Sequence, residues 1–295
     1  MSRLRLVILV VLAMVAFAGN SLLCRMALKH TPIDPASFTA MRLLSGACML
    51  CCVVWLRQGK ASSARAASPD GGNWLSACAL FVYAAGFSYA YVSMSAATGA
   101  LLLFGTVQAT MVGYGVWQGE RLQRWQLVGF SLAVAGLVAL MLPGLAAPSL
   151  LGSVSMMSAG AAWGIYSLRG KGAGDPTRVT AGNFLRTLPM ALVLSLLMIQ
   201  HLSPDVAGLA LAVLSGALAS GLGYALWYQA LPVLPATQAA SVQLSVPVLA
   251  ALGGIVFIGE ALSWPTVLAS VTILGGIALV ILNKKQPPTP KAHLP

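Results

Sequence analysis

The chain has 295 residues, 58% of them hydrophobic and only 8% charged, where a soluble domain carries about 25%. A mean hydropathy of +0.86 over that length excludes a soluble globular fold and leaves a bilayer as the solvent for most of the molecule. The net charge of +11 does not point to nucleic acid: the Lys and Arg side chains gather in short gaps between apolar runs, and no basic stripe is interleaved with aromatics.

Ten apolar runs, each close to the length that crosses a bilayer as a helix, are predicted at 4–28, 35–56, 73–94, 97–118, 124–143, 149–169, 177–200, 206–231, 236–258 and 264–283. They must be helices, because lipid cannot satisfy free backbone groups. The first run follows Arg3 and Arg5, and Ala16-Phe-Ala-Gly resembles a signal cleavage site. It continues through Cys24, so it is expected to be retained as a helix. The gap 57–72, rich in Ala, Ser and Gly, reads as a flexible connector, and the Pro-rich stretch 286–295 as a disordered cytoplasmic tail. Cys24, Cys48, Cys51, Cys52 and Cys78 all fall inside apolar runs and are expected to pack as small hydrophobes. With the N-terminus inside, thirteen of the seventeen basic residues fall on the cytoplasmic side, which places both termini there.

The two halves echo each other. Gly119-Glu120 at the end of run four recurs as Gly259-Glu260 at the end of run nine, Gly136 matches Gly276, Gly19 matches Gly164, and Arg42 matches Arg186. Five spans per copy is odd, so the second copy enters the membrane from the opposite side. The expected fold is an all-α integral membrane protein. Its ten transmembrane helices form an inverted repeat, with units 1–146 and 147–285 and a site near mid-membrane where they meet.

Several chemistries are not supported. There is no GxxxxGK[ST] loop and no HExxH, and His30, His201 and His293 lie in loops or the tail. No two acids face each other within the runs: Asp34, Asp70, Asp175 and Asp205 sit at helix ends or in gaps. The expectation is no enzyme, no cofactor and no metal. Arg42 and Arg186 lie inside apolar runs, where a guanidinium is costly without a partner. Each reads either as a counter-ion for a substrate carboxylate or as a structural or gating residue. Gly119, Glu120, Gly259, Glu260 and Pro247 are assigned to structure or gating, Pro247 as a kink in run nine. Polar and aromatic side chains at helical spacing nominate a substrate cavity of Asn20, Tyr83, Phe87, Leu101, Gln108, Trp163, Tyr166, Tyr224, Ser241 and Gln243. The competing reading for such residues is interhelical hydrogen bonding or an interfacial aromatic belt. Trp163 and Tyr83 lie too deep in their runs for a belt.

The duplicated five-span unit, the paired Gly-Glu endings, Pro247 and the two arginines resemble the drug/metabolite transporter superfamily, in particular its ten-helix EamA-type bacterial exporters. Val107 departs from the proline often found at the position matching Pro247, so gating need not be symmetric. The resemblance implies a multi-pass protein of the bacterial inner membrane working by alternating access around a cavity formed by runs 1, 3, 4, 6, 8 and 9. Within the superfamily it looks most like exporters of aromatic and large neutral amino acids. The implied partners are a small-molecule substrate and membrane lipid, with no nucleic acid, in a monomer or homodimer. Two other readings stay open: an exporter of nucleosides, drugs or other small metabolites, and a non-transporting membrane protein such as an assembly partner or lipid-handling enzyme.

Overall fold

A computed structural model describes residues 2–58, 71–119, 121–141, 148–170, 175–234 and 242–282. Among them there is no strand. Ten helices follow one another, with a single 3-10 turn at Ile199–His201 between the seventh and eighth: α1 (Arg3–His30), α2 (Pro35–Gln58), α3 (Trp74–Tyr91), α4 (Ala96–Trp117), α5 (Arg124–Met141), α6 (Leu150–Arg169), α7 (Pro176–Leu197), α8 (Val206–Val233), α9 (Ser245–Ile258) and α10 (Trp264–Leu282). Glu120, Ser241, the start of run nine, most of the 57–72 connector, the junction between the two predicted units and the Pro-rich tail lie outside the described residues.

Eight of the ten elements are long and apolar enough to cross a membrane. The other two are α9, of which only the part from Ser245 on is described as one continuous helix, and α6. α9 has 14 described residues, and α6 is diluted by four serines, three glycines and Arg169. The helices begin where the sequence supplies a cap. Ser2, Asn73, Ser95 and Ser149 each accept from the amide three residues on, and Asp34, Asp175 and Asp205 cap α2, α7 and α8. All four acids among the described residues sit at helix N-termini, the fourth being Glu260 at the start of α4, where the helix dipole favours a negative charge.

Outward faces are apolar. Leu4, Val7, Ile8, Val11, Leu12 and Val15 form an exposed stripe along α1, and Leu192, Val193, Leu196 and Leu197 do so on α7. This is the inverse of a soluble helix and fits contact with acyl chains. Five of the seven tryptophans, Trp55, Trp74, Trp117, Trp125 and Trp264, are exposed within a turn of a helix end, the placement of an interfacial belt.

The principal pairings are α5 with α10, α2 with α7 and with α8, α3 with α6 and with α7, α4 with α6 and with α9, and α1 with α8 and with α9. Exchanging each helix for the one five places along maps this set onto itself. Counterpart helices that touch run antiparallel. In α5 and α10, Gly129 lies against Gly276 and Gly136 against Ile273; a Cβ on Gly129 would stand 2.5 Å from the Gly276 carbonyl oxygen. In α2 and α7, Arg57 bonds Thr177 at 3.0 Å while Gly46 faces Phe184. In α4 and α9, the first amide of α4 meets Glu260 just beyond the end of α9.

α8 is not uniform. Between α-helical Val206–Val213 and Gly223–Ala230 it widens into a π-helical stretch, Leu214–Leu222. Such segments are rare and concentrate at functional sites. Gly216 presses this stretch onto α2, where a Cβ would overlap Ser45 Oγ and the Arg42 carbonyl. In run nine, residues 242–243 are helical, the helix is interrupted at Leu244, and α9 begins at Ser245 with Pro247 in its first turn. Pro247 has no amide hydrogen for the Gln243 carbonyl, which accounts for the break.

Candidate functional site

The centre of the bundle holds a small cavity lined by aromatic rings from α1, α3, α4, α6 and α8 and by polar groups of Asn20, Ser21, Ser220 and Gln243. Trp163 is the hub of the rings. Its centroid lies 4.8 Å from Tyr83, 5.2 Å from Tyr224 and 5.5 Å from Tyr166, the last a stacked pair. Phe87 extends the wall from Tyr83, and Phe17 stands edge-on to Tyr224 at 5.8 Å.

A polar network runs behind this wall. Tyr83 Oη accepts from Asn20 Nδ2 at 3.2 Å and from Arg42 Nη2 at 3.0 Å. Asn20 Oδ1 accepts from Ser215 Oγ at 2.6 Å, and Arg42 Nε reaches Ser220 Oγ at 3.4 Å. Arg42 is 1% exposed. Its guanidinium carbon lies 5.1 Å from the Tyr83 centroid and 4.8 Å from that of Phe87, a cation–π arrangement that offsets part of its desolvation. Nη1 has no partner among the described residues.

Of the ten cavity residues nominated from sequence, Asn20, Tyr83, Phe87, Trp163, Tyr224 and Gln243 line this one void. Leu101 is buried in the core beside it, where Leu103 and Phe104 face the cavity instead. Gln108 lines a separate apolar void between α4, α5 and α10. Tyr166 lines a third void with Asn73, Ser76, Arg169, Thr180 and Asn183, and the Trp163–Tyr166 stack stands between that void and the central one. The central void measures about 30 Å³, room for roughly two water molecules, where small-ligand sites usually offer roughly 300 Å³ or more. At this size the void does not admit a ligand as large as an amino acid without rearrangement.

The matched arginines differ in their partners. Arg186 donates to the Gly71 carbonyl at 2.7 Å and the Gly182 carbonyl at 3.0 Å, at the end of the bundle where Arg169 also reaches Ser76 and Asn73. At the opposite end stands a residue that run-by-run reading passed over. Arg25 pairs with Glu260 at 2.8 Å and donates to the Tyr91 and Val92 carbonyls at the C-terminus of α3. The other Glu260 oxygen accepts from the Ala96 amide at 2.8 Å. Gly259 makes this possible: at φ 67° it ends α9 in the left-handed region, and the Glu260 amide turns back to the Gly254 carbonyl at 3.0 Å. Gly119 also has positive φ, at 91°. A lone arginine near the end of an apolar run, with its acid 235 residues away, gives a linear reading no partner to suggest.

Asp34, in the loop between α1 and α2, joins that loop to the one before α8 through the Ser203 amide at 2.8 Å. Burial pushes its carboxyl up, but hydrogen bonds from Ser37, Ser203 and Ala36 outweigh that and hold it below the usual carboxylate range.

The profile of the EamA-like transporter family matches residues 4–142 and 150–282, one copy on each half of the chain. The chain belongs to the EamA-like transporter family. An uncharacterised protein of Pseudomonas aeruginosa is 58% identical over 277 residues, covering 94% of each chain. The threonine/homoserine exporter RhtA of Salmonella typhimurium is 34% identical over 146 residues, 46% of this chain and 48% of RhtA. RhtA of Escherichia coli is 35% identical over 120 residues, 39% of each chain. A solved crystal structure superimposes with a TM-score of 0.64 at 19% identity, covering 93% of this chain and 96% of its own, a likeness of fold. This EamA-like chain is thus a multi-pass membrane protein of a transporter family.

Proposed function

We propose that this protein exports amino acids, aromatic and large neutral ones, across the bacterial inner membrane by alternating access around the central cavity. The observation that carries the reading is the convergence of Asn20, Tyr83, Phe87, Trp163, Tyr224 and Gln243, from both halves of the chain, on one void. Stacked rings suit an apolar or aromatic side chain, and the amide and hydroxyl groups suit a zwitterionic backbone. Two of the seven tryptophans, Trp163 and Trp227, are withdrawn from the interfacial belt into this region. The partial likeness to the threonine/homoserine exporter RhtA supports the reading and adds threonine and homoserine to the substrates to be tried.

The inverted repeat belongs to the same proposal. It is supported by the self-mapping pattern of helix pairs and the antiparallel contacts of α2 with α7, α4 with α9 and α5 with α10. Both termini then lie in the cytoplasm, and the Arg25–Glu260 end faces outward. Reconstitution tests the function. Liposomes containing the protein should pass phenylalanine, tryptophan, methionine, threonine or homoserine faster than protein-free liposomes; unchanged flux for the whole panel refutes it. Accessibility labelling should place residues 120 and 260 on opposite faces, and labelling from one face refutes the inversion.

A further inference from the structure

Among the described residues, Arg42 is a fixed positive charge with no fixed negative charge beside it. None of the four acids among the described residues lies within a membrane helix; each sits at a helix terminus. Nη1 is buried and has no partner among the described residues, so the guanidinium is left under-compensated inside the bundle. The two side chains that accept from Arg42, Tyr83 and Ser220, both line the central cavity. Tyr83 Oη already accepts twice, from Arg42 and Asn20, so its own proton is left to donate. Ser220 Oγ likewise accepts from Arg42 and keeps its proton. Neither proton has an acceptor among the described residues. Two hydroxyl donors at one wall, polarised from behind by a buried guanidinium, make a receptor for an anion.

Resting on the reading of this void as the transport cavity, we propose that the Tyr83–Ser220 wall, charged by Arg42, is a carboxylate-recognition site, so that a carboxylate is an obligatory feature of the substrate. The occupant's carboxylate accepts from the two hydroxyls and neutralises Arg42, and its side chain lies toward Trp163 and Tyr224. Neutral amides and cationic amines of the same shape leave Arg42 uncompensated and are rejected. Arg42 is a positioning residue: it acts through Tyr83 and Ser220.

The test is isothermal titration of the purified full-length protein with four probes: L-phenylalanine, L-phenylalaninamide, 3-phenylpropionate and 2-phenylethylamine. Threonine and threoninamide form a parallel pair. The readout is the affinity ratio of acid to amide, which a merely structural role would leave unchanged while lowering both. The wild type should favour the acid by about 10- to 100-fold, the range of a charged hydrogen-bonded pair. Arg42→Lys should keep most of that preference and Arg42→Met should bring it to about unity. Tyr83→Phe, which removes only the hydroxyl, should reduce it even where Arg42→Met fails to fold. Equal wild-type affinity for acid and amide overturns the carboxylate site and leaves amino-acid export standing. Binding of 3-phenylpropionate with no amino acid bound keeps the site and removes the amino-acid reading. Binding of none of the probes overturns both.

Discussion

Removing the Glu260 carboxylate should release four helices at once. Glu260 makes two 2.8 Å contacts, one to Arg25 and one to the Ala96 amide, and Arg25 carries the linkage on to the Tyr91 and Val92 carbonyls. The pair ties α1 and α3 to α4 and α9. Its side chains are 12% and 9% exposed, between the surface case, where a pair is worth about 0–1 kcal/mol, and the fully buried case, where losing one partner costs about 3–5 kcal/mol. Arg25 keeps two carbonyl acceptors in the variant, which moderates the loss, so about 2 kcal/mol is assigned to the pair. The cap on α4 adds about 1 kcal/mol when lost outright. Glu260→Gln, which retains an acceptor for the Ala96 amide, should cost about 2 kcal/mol and Glu260→Ala about 3 kcal/mol. The assay is reversible unfolding in mixed micelles across the cycle Arg25→Gln, Glu260→Gln and the double variant. A coupling energy of about 1–2 kcal/mol is expected from direct contact. If the double variant is destabilised by the simple sum of the singles, the clamp has no energetic content and the reasoning fails.

Other outcomes follow from the same geometry. Gly216→Ala forces a methyl into Ser45 Oγ and the Arg42 carbonyl and should cost about 1–3 kcal/mol, whereas Gly275→Ala, with nothing within 4 Å, should be neutral or slightly stabilising; equal thermal stabilities would contradict the close approach of α8 to α2. Asp34 has a carboxyl held below the usual range. Its contribution is full above the unfolded-state value of about 3.9 and is lost as pH falls through the lower native value. Asp34→Asn should therefore flatten the acid limb of a stability-against-pH curve, and an unchanged limb argues against the Ser37 and Ser203 bonds as its cause. Trp163→Ala removes the hub of the central rings and should sharply lower amino-acid flux while membrane insertion persists. Wild-type flux in that variant would mean that transport does not pass this cavity.

Much of the architecture is written in local composition. Apolar length alone marks the segments. The belt tryptophans and the acids at helix termini follow from the cost of placing polar groups in hydrocarbon, a cost that depends on depth and hardly on neighbours. The Gly-Glu endings are legible for the same reason, since Gly259 meets a backbone requirement for positive φ that can be read without knowing what packs nearby. The two halves are legible because their spacing recurs along the chain.

What the chain order could not settle is rotation. Periodicity groups residues on one face of a helix, but which neighbour that face meets depends on how all ten elements pack together. Hence Gln108, on the same helix as Leu103 and Phe104, lines a different void, and Leu101 is core. The wider turn of Leu214–Leu222 shifts the register of α8, so Ser215 and Ser220 reach Asn20 and Arg42 in a way that a regular 3.6-residue period does not specify. The matched arginines also part company: Arg186 donates to backbone carbonyls, while Arg42 Nη1 has no partner among the described residues. Solvent preference acts on each residue by itself and is therefore visible in sequence. Partnership across helices is a property of pairs far apart in the chain, and only the packed bundle brings those pairs together.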